Sequence, residues 1–303
     1  MKSLKHYLDK AQKEHWAIGQ FNFSDFSQVN GIVQAAKNLN SPIILGTSEG
    51  ESRFVGLQEA VAIRNVLRKK TLRRGSGQAL PIFLNLDHGK SFKYLKEAIL
   101  AGYDMVHFDG SKLSLDENIK ISKEVVKFAK KKGVVIEGEV GRFGTDSSKM
   151  YTEKFEIKEE DLTNPKDALH YLKQTKVDIL AVSVGTFHGI GIDISVISPH
   201  IKIDRLKTLR LALLAQGKTK PIGFVLHGGS GTPIEDIKEV IRLGIVKINI
   251  NTEIRLAFSG ALRKTLETNK EEIVPYKYLP EAIDAVQKVV EEKIKLFGSE
   301  NRA

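Results

Sequence analysis

Three histidines lie at or just after the ends of apolar, strand-like runs, and their spacing suits metal chemistry. They are His88 in LNLDHGK, His188 in AVSVGTFHGIG and His227 in GFVLHGGSG. If these runs form neighbouring parallel strands, the three imidazoles meet at the carboxyl edge of one sheet. Three histidines with an open fourth position are a common way to hold a catalytic zinc. Asp87 directly precedes His88, so the pattern predicts a metal together with an acid/base group.

Eight apolar runs rich in β-branched residues alternate with amphipathic helical patterns. Strands are predicted at residues 17–21, 42–45, 81–86, 105–108, 134–140, 179–184, 222–226 and 246–250. Helices are predicted at residues 27–38, 57–69, 92–101, 115–132, 165–174, 207–216, 233–243, 252–269 and 280–297. Strict alternation favours parallel strands with crossover helices, and eight such units are what a closed barrel needs. We therefore predict a single α/β domain over residues 1–303, a TIM (β/α)8 barrel with an extra C-terminal helix.

A doubly wound open sheet is the alternative to the barrel, because it also alternates strands and helices. Its glycine fingerprint, GxGxxG, normally follows the first strand. The sequence after residue 21 lacks that fingerprint, so the closed barrel is favoured.

Composition restricts the class of protein. The 303 residues include no cysteine, which excludes disulfides and thiolate metal ligands and indicates a cytoplasmic protein. The sequence has no apolar stretch long enough to span a bilayer. Its first residues form an amphipathic helical pattern and not a signal peptide. We expect no membrane association.

The net charge of +10 has two interpretations. It could attract anionic ligands, either phosphorylated metabolites or nucleic acid. The densest basic run, residues 64–74, has a helical pattern and lacks interleaved aromatic residues for base stacking. A lysine-rich solvated surface is the preferred interpretation, and nucleic-acid binding is the remote alternative.

Polar residues gather at the carboxyl ends of the predicted strands, which is the face where barrel enzymes build their active sites. At or just after these ends lie Asn22, Ser48, Asp87, His88, Asp109, Glu139, His188, His227, Asn249 and Asn251. A glycine-rich run, residues 228–231, follows strand seven, and Asn251-Thr252 opens a helix after strand eight. Backbone N–H groups of these two loops are a recurrent phosphate site of the fold. The sequence therefore predicts a phosphorylated ligand beside the metal.

Side-chain alternation predicts an ion pair one layer below this face. Glu137 and Glu139 share one side of strand five, as Lys247 and Asn249 do on strand eight. If Glu139 and Asn249 lie at the mouth, Glu137 and Lys247 point into the barrel beneath them. A lone buried charge is costly, so we expect the two to pair. The rival hypothesis is that Lys247 is a Schiff-base nucleophile.

Several motifs follow one another along nearly the whole chain. They are GQFNF, SPIILGTSEG, LNLDHG, FDGS, IEGEVGRFGT, SVGTFHG, VLHGGSG, KININTEIR and the tail KYLPEAIDAVQKVVEEKIKLFGS. Together they resemble the zinc-dependent class II fructose-1,6-bisphosphate/tagatose-1,6-bisphosphate aldolases. The resemblance implies a lyase with a Zn²⁺ cofactor that reversibly cleaves a ketose 1,6-bisphosphate to dihydroxyacetone phosphate and glyceraldehyde 3-phosphate. Fructose 1,6-bisphosphate is the first substrate to expect and the tagatose epimer the alternative, in a homodimer or homotetramer.

The resemblance also assigns functions to individual residues. The implied zinc ligands are His88, His188 and His227, and the acidic positions for an alternative or second cation, divalent or monovalent, are Asp109 and Glu139. Asp87 is the implied proton donor and acceptor, and Asn249 the implied stabiliser of the enediolate. The predicted substrate contacts are Asn22, Ser48, Gly189, Gly228, Gly229, Ser230, Asn249, Ile250, Asn251 and Thr252.

The chain departs from the family pattern at positions around the substrate. Asn85 stands where the family usually has histidine, and GTDSS replaces a GGxED-type run, leaving Asp146 as the candidate for handling the carbon-bound proton. Tyr276 stands where the family has an arginine that reaches the distal phosphate, a task that Lys277 or Arg53 could take. A divergent metal-binding barrel with altered substrate or lost activity is therefore the second hypothesis.

Overall fold

The barrel is closed and parallel, as the alternation of strands and helices predicts. The computed structural model describes residues 2–71, 79–142, 150–151, 157–186, 190–191, 200–215 and 222–303. Its strands are β1 (Ile18–Asn22), β2 (Ile43–Ser48), β3 (Ile82–Gly89), β4 (Met105–Phe108), β5 (Val135–Val140), β6 (Met150–Tyr151), β7 (Ile179–Val182), β8 (Ile190–Gly191), β9 (Gly223–Leu226) and β10 (Ile245–Ile250). The order around the barrel is β1-β10-β9-β7-β5-β4-β3-β2, and β6 pairs with β8 outside it. The predicted TIM barrel is thus confirmed.

Helices connect the barrel strands along the chain. They are α1 (Leu4–Glu14), α2 (Phe26–Asn38), α3 (Glu49–Val55), α4 (Leu57–Lys70), α5 (Phe92–Ala101), α6 (Leu115–Lys130), α7 (Pro165–Thr175), α8 (Ile203–Leu214), α9 (Ile234–Arg242), α10 (Thr252–Thr268), α11 (Pro275–Tyr278) and α12 (Pro280–Leu296). Two short helices, α3 and α11, were not expected. Within the described ranges, no helix combines the length and apolar character needed to cross a membrane.

The extra C-terminal helix, α12, packs on α2 and α10 of the same chain. Its buried stripe is Ala282, Val286, Val290 and Ile294. Gly31 of α2 permits the close approach, because a Cβ there would lie 2.6 Å from the Ile283 carbonyl oxygen. The C-terminal helix therefore completes the helical layer next to β1.

Helix α1 covers the end of the barrel where the strands begin. Its Leu4, Tyr7, Leu8 and Ala11 join an apolar cluster with residues near the starts of the barrel strands. The members from the strands and the turn before them are Trp16, Ile18, Ile44, Phe83, Met105, Val135, Ile179, Ala181, Val225 and Val246. Because this apolar plug fills one end, polar side chains inside the barrel are confined to the other.

Part of the basic run that we predicted to be solvated surface is buried instead. Arg64 is 5% exposed because it lies on the inner stripe of α4, with Ala60, Val61 and Leu67. Its guanidinium pairs with Asp104, as does the Arg68 guanidinium, at 3.0 Å. For these two arginines the surface interpretation was wrong, since both hold the turn before β4.

Candidate active site

Asp87 lies near the end of β3, buried between two asparagine amides. Asn22, at the end of β1, donates from Nδ2 to Oδ2 over 3.0 Å. Asn249, in β10, donates from Nδ2 to Oδ1 over 3.0 Å. Three strand ends that are far apart in the sequence thus meet at one carboxylate, at the mouth that the sequence predicted.

Hydrogen bonds to the side-chain carbonyls of Asn22 and Asn249 fix the orientation of both amides. The Asn22 carbonyl accepts from Gln20 Nε2 at 3.0 Å, and the Gln20 carbonyl accepts from Asn85 Nδ2 at 2.8 Å. The Asn249 carbonyl accepts from Lys247 Nζ at 2.7 Å. Each amide must therefore present N–H to Asp87, so the pocket is built for an anionic acceptor.

The charge around Asp87 keeps it ionised. Burial alone would raise the pKa of this carboxyl, but the nearby charges of His88 and Lys247 outweigh burial and hold the pKa well below its ordinary value. A carboxylate that is ionised, buried and hydrogen-bonded on both oxygens is ready to accept a proton from a bound ligand.

The predicted ion pair below the mouth is confirmed. Lys247 Nζ donates to Glu137 Oε2 over 2.8 Å, and both residues are fully buried. Burial would raise the pKa of Glu137, yet the charge of Lys247 and the hydrogen bond of His227 outweigh burial and lower that pKa. The pair supports the mouth from beneath, since Lys247 also orients Asn249.

The same carboxylate fixes the tautomer of His227. Glu137 Oε1 lies 2.6 Å from His227 Nε2, and because Glu137 is ionised, Nε2 is the donor. Nδ1 then carries the lone pair and faces the mouth; Asn249 Nδ2 lies 3.3 Å from it but makes its shorter hydrogen bond to Asp87 Oδ1. Burial lowers the pKa of His227 to about 4, so the ring is neutral. A neutral imidazole whose second nitrogen is bound to a carboxylate is the usual form of a metal-binding histidine.

His88 and two acidic residues form a second group beside the first. His88 Nδ1 lies 3.0 Å from Asp109 Oδ2 and 3.9 Å from Glu139 Oε2. Burial raises the pKa of Asp109, but the hydrogen bond and the charge of His88 outweigh burial and lower that pKa below its ordinary value. Burial and the neighbouring Asp109 raise the pKa of Glu139. Two carboxylates this close favour a cation between them.

The donor atoms at this mouth suit a divalent metal. Two overlapping groups, Asp87-His88-His107-His227 and His88-Asp109-Glu139, each place one ligand atom per residue within 4.8 Å of the others. Glu139 Oε2 is buried without a hydrogen bond from any described residue. Imidazoles and carboxylates with no thiolate are a zinc donor set of the catalytic kind. The residues present therefore fit the metal that the three-histidine pattern predicted.

Three predicted site residues lie outside the described residues, and the side chains of two others have structural roles. His188, Gly189 and Asp146 fall outside the described residues. Ile250 is fully buried in the hydrophobic core, so only its backbone can face a ligand. Ser48 caps α3 through its hydroxyl, which accepts from the Glu51 N–H at 3.2 Å.

The loops after β9 and β10 lie together, as a phosphate site requires. Gly228 and Gly231 both have positive φ, and Asn251 and Thr252 begin α10. Glu253 N donates to Ser230 Oγ at 3.4 Å, and Gly231 N donates to Glu253 Oε1 at 2.6 Å. Backbone N–H groups thus lie together beside the start of a helix, although the two named here already donate to Glu253 and to Ser230.

The two cations considered for the distal phosphate have protein partners. Arg53 lies over the Tyr94 ring, 4.4 Å from its centroid, and Lys277 pairs with Glu272 at 3.4 Å. Tyr276 is 76% exposed. The assignment of Arg53 or Lys277 to the distal phosphate stays a prediction.

Sequence reasoning missed three polar residues at this mouth. His107 is fully buried in β4, with its ring centroid 4.6 Å from that of His88 and 4.8 Å from that of His227. Gln20 orients Asn22, and Glu51 accepts from Asn22 Nδ2 and from Arg255 Nη2. The two-residue alternation that placed Glu137 beneath Glu139 also places His107 beneath Asp109, and would have found it.

Comparisons with known proteins agree with this geometry. Residues 2–302 match the family model described as Fructose-bisphosphate aldolase class-II. A fructose-bisphosphate aldolase of Staphylococcus aureus strain Mu50 is 33% identical over 301 residues, covering 99% of this chain and 98% of that protein. The crystal structure of the YdjI aldolase from Escherichia coli K12 superposes with a TM-score of 0.80 at 27% identity, over 100% of both chains. A fructose-bisphosphate aldolase from Campylobacter jejuni, 23% identical, shares the fold with a TM-score of 0.79 over 99% of this chain and 95% of that one. The chain belongs to the class-II fructose-bisphosphate aldolase family.

Proposed function

We propose that this chain is a zinc-dependent aldolase that reversibly cleaves fructose 1,6-bisphosphate to dihydroxyacetone phosphate and glyceraldehyde 3-phosphate. The observation that carries the proposal is Asp87, an ionised carboxylate held by two amides beside His88 and His227. Family membership and the relative named for fructose bisphosphate support this substrate class.

Asp87 is the proton carrier in this proposal. It takes the proton of the substrate C4 hydroxyl as the C3–C4 bond breaks, and the bonding electrons pass into the enediolate of the triose phosphate. In the synthetic direction, Asp87 returns the proton to the new alkoxide. The Asn249 amide, oriented by Lys247, is the candidate to stabilise the negative charge that develops on the enediolate oxygens.

His88 and His227 would hold the zinc, with His188 as the predicted third ligand. A zinc ion in this position supplies Lewis-acid polarisation of the ketose carbonyl. Asp109 and Glu139 are the candidates for an alternative position of the ion or for a second cation. The N–H groups of residues 228–230 and 251–252 are the candidates to bind the phosphate nearer the carbonyl, and Asp146 is the candidate for the carbon-bound proton.

Metal removal tests the proposed function. Purified protein is treated with EDTA, its metal content is measured, and cleavage is followed in a coupled assay with fructose and tagatose 1,6-bisphosphates separately. We expect cleavage of the fructose epimer to fall to background and to return with one equivalent of zinc per site, because the carbonyl is no longer polarised without it. Undiminished cleavage by protein shown to be metal-free would exclude the proposal, and faster cleavage of the tagatose epimer would change the substrate.

Asn22→Ala is expected to lower kcat through Asp87. The substitution removes the donor to Asp87 Oδ2, and misplacing a catalytic group by about 1 Å can cost up to about 100-fold in rate. Zinc content should be unchanged, because Asn22 belongs to neither group of candidate metal ligands. The matched control is Asn38→Ala, an exposed asparagine bonded to Glu291 on the outer helices. Equal kcat in Asn22→Ala and wild type would show that Asp87 is positioned without this amide.

A further inference from the structure

His107 is a fully buried imidazole that belongs to the first group of metal donors and contacts the second, and the proposed reaction gives it no task. Its Nδ1 accepts the backbone N–H of His88 at 3.2 Å. Its Nε2 lies 3.0 Å from Glu139 Oε2. It therefore lies between the backbone of one candidate ligand and the side chain of another.

The hydrogen bond from His88 determines which nitrogen of His107 carries the proton. A neutral imidazole has one N–H and one lone pair, and here the lone pair on Nδ1 is occupied by the His88 N–H. Nε2 must then carry the proton. Metal binding requires a free lone pair, so neither nitrogen of His107 is available as a ligand.

A doubly protonated ring is excluded by the same contact. A second proton, on Nδ1, would point directly at the His88 N–H, which donates to that same nitrogen.

We infer that His107 is a positioning residue of the metal centre, which holds the Glu139 carboxylate through Nε2–H and is not itself a ligand. The 3.0 Å separation is within hydrogen-bond reach, although the atoms are not aligned as a bond among the described residues. Glu139 Oε2 also lies 3.9 Å from His88 Nδ1. The rotation of the Glu139 carboxylate therefore decides whether this oxygen can share a metal with His88 and Asp109. The inference rests on the metal centre of the proposed function.

The hydrogen bond from the His88 backbone to His107 gives His107 a second way to position the metal centre. His88 has a φ of +52°, which is uncommon for a residue with a side chain and is kept only where the surroundings enforce it. The register between β3 and β4 shifts at the same point, between Leu86 and Gly89. The acceptor on His107 thus fixes the backbone that carries the His88 imidazole.

Two substitutions separate these contacts. H107N retains an acceptor close to the His88 N–H but is too short to reach Glu139. H107Q extends its amide to about the position of Nε2 and can donate to Glu139. M105L is the matched control, because Met105 is buried on the same strand and faces the same interior one layer lower. Thermal melting of the metal-free proteins establishes that each variant is folded.

The readout is zinc affinity, measured by competition with a chromophoric chelator. Loss of a partner that orients a metal ligand typically weakens binding about 10–100-fold, and we expect this loss for H107N. H107Q should bind more tightly than H107N, and M105L should match wild type. In an E139Q background, H107N should cause no further loss, because its effect acts through Glu139.

The visible spectrum of the Co²⁺-loaded protein tests whether His107 is a ligand. We expect wild type and H107Q to give the same bands, since the coordinating atoms are unchanged. A changed spectrum in both H107Q and H107N would make His107 a ligand and overturn the inference, as would H107N that binds zinc as tightly as wild type. If wild type itself binds no zinc, the proposed function fails. If wild type binds zinc and H107N binds it equally tightly, only the inference about His107 fails. Should H107N not fold, the comparison of H107Q with and without E139Q decides the question.

Discussion

Asp87→Ala is expected to lower kcat by about 10²–10⁴-fold, the usual contribution of a positioned acid/base group. Surrounding charges keep this carboxylate ionised, and two amides hold it on both oxygens. KM should change less than kcat, because the carboxylate acts on the reacting hydroxyl and not on the phosphates. Zinc content should stay near wild type, since His88 and His227 keep the partners that orient them.

Alanine is a better test here than asparagine. The Asn22 carbonyl accepts from Gln20 and the Asn249 carbonyl from Lys247, so neither amide can turn over. An asparagine at position 87 would place an NH₂ group against one of these two donors, break that hydrogen bond and confuse loss of the acid with loss of position. The carboxylate control is Asp25→Ala, which removes the cap of α2 and should cost about 1 kcal/mol of stability with kcat unchanged. If Asp87→Ala keeps more than a tenth of wild-type kcat, another group carries the proton.

The barrel was predictable because its strands are buried on both faces and read as apolar runs. The predicted ends were less accurate where polar residues continue a strand. We ended the second and third strands at residues 45 and 86, whereas β2 continues to Ser48 and β3 to Gly89. The ladder between them extends to the pair Ser48 and Asp87, so backbone hydrogen bonds carry the strands beyond the last apolar side chain.

Helix α3 shows why some elements leave no periodic signal. It is seven residues long, and its buried residues are the polar Glu51 and Ser52. A capping box between Ser48 and Glu51 starts it, and Glu51 also accepts from Asn22 and Arg255. Its helical form is therefore stabilised by hydrogen bonds of the mouth, which a search for apolar periodicity does not detect.

The site was predictable as a set of residues but not as a network. Alternation and strand ends placed Asp87, His227 and Asn249 at one mouth. They could not show that Asn85 and Gln20 orient Asn22, or which nitrogen of His227 faces the mouth, since these depend on contacts between distant strands. Arg64 misled in the opposite way, because a buried arginine and a solvated one look alike until the helix face is known.

Lys247→Met is expected to destabilise the fold more than any surface substitution in this chain. Breaking a buried ion pair from one side typically costs about 3–5 kcal/mol, because Glu137 would be left buried without its cation, 2.6 Å from His227 and 3.9 Å from His107. With an unfolding entropy of about 2.1 cal/mol/K per residue, this corresponds to a fall in melting temperature of about 5–8 °C for a chain of this size. Thermal melting followed by circular dichroism measures it.

Lys238→Met is the matched control, since it removes the lysine of an exposed pair. Lys238 Nζ lies 2.9 Å from Glu235, with side chains 46% and 82% exposed. Such pairs contribute about 0–1 kcal/mol, so the melting temperature should hardly move. The double variant Lys247→Met with Glu137→Gln should melt above Lys247→Met alone, because no unpaired charge is then buried. If Lys247→Met melts like the control, the pair is not what stabilises the barrel interior.

The same lysine decides between metal and Schiff-base chemistry. Its Nζ is fully buried and donates to Glu137 and to Asn249. The amine therefore supports the residues below the mouth and does not face a bound ketose. Borohydride added with fructose 1,6-bisphosphate should therefore leave no covalent adduct on the protein, as judged by intact mass. An adduct at Lys247 would replace the metal mechanism, whereas loss of stability without an adduct assigns Lys247 to the support of Asn249, and through it to Asp87.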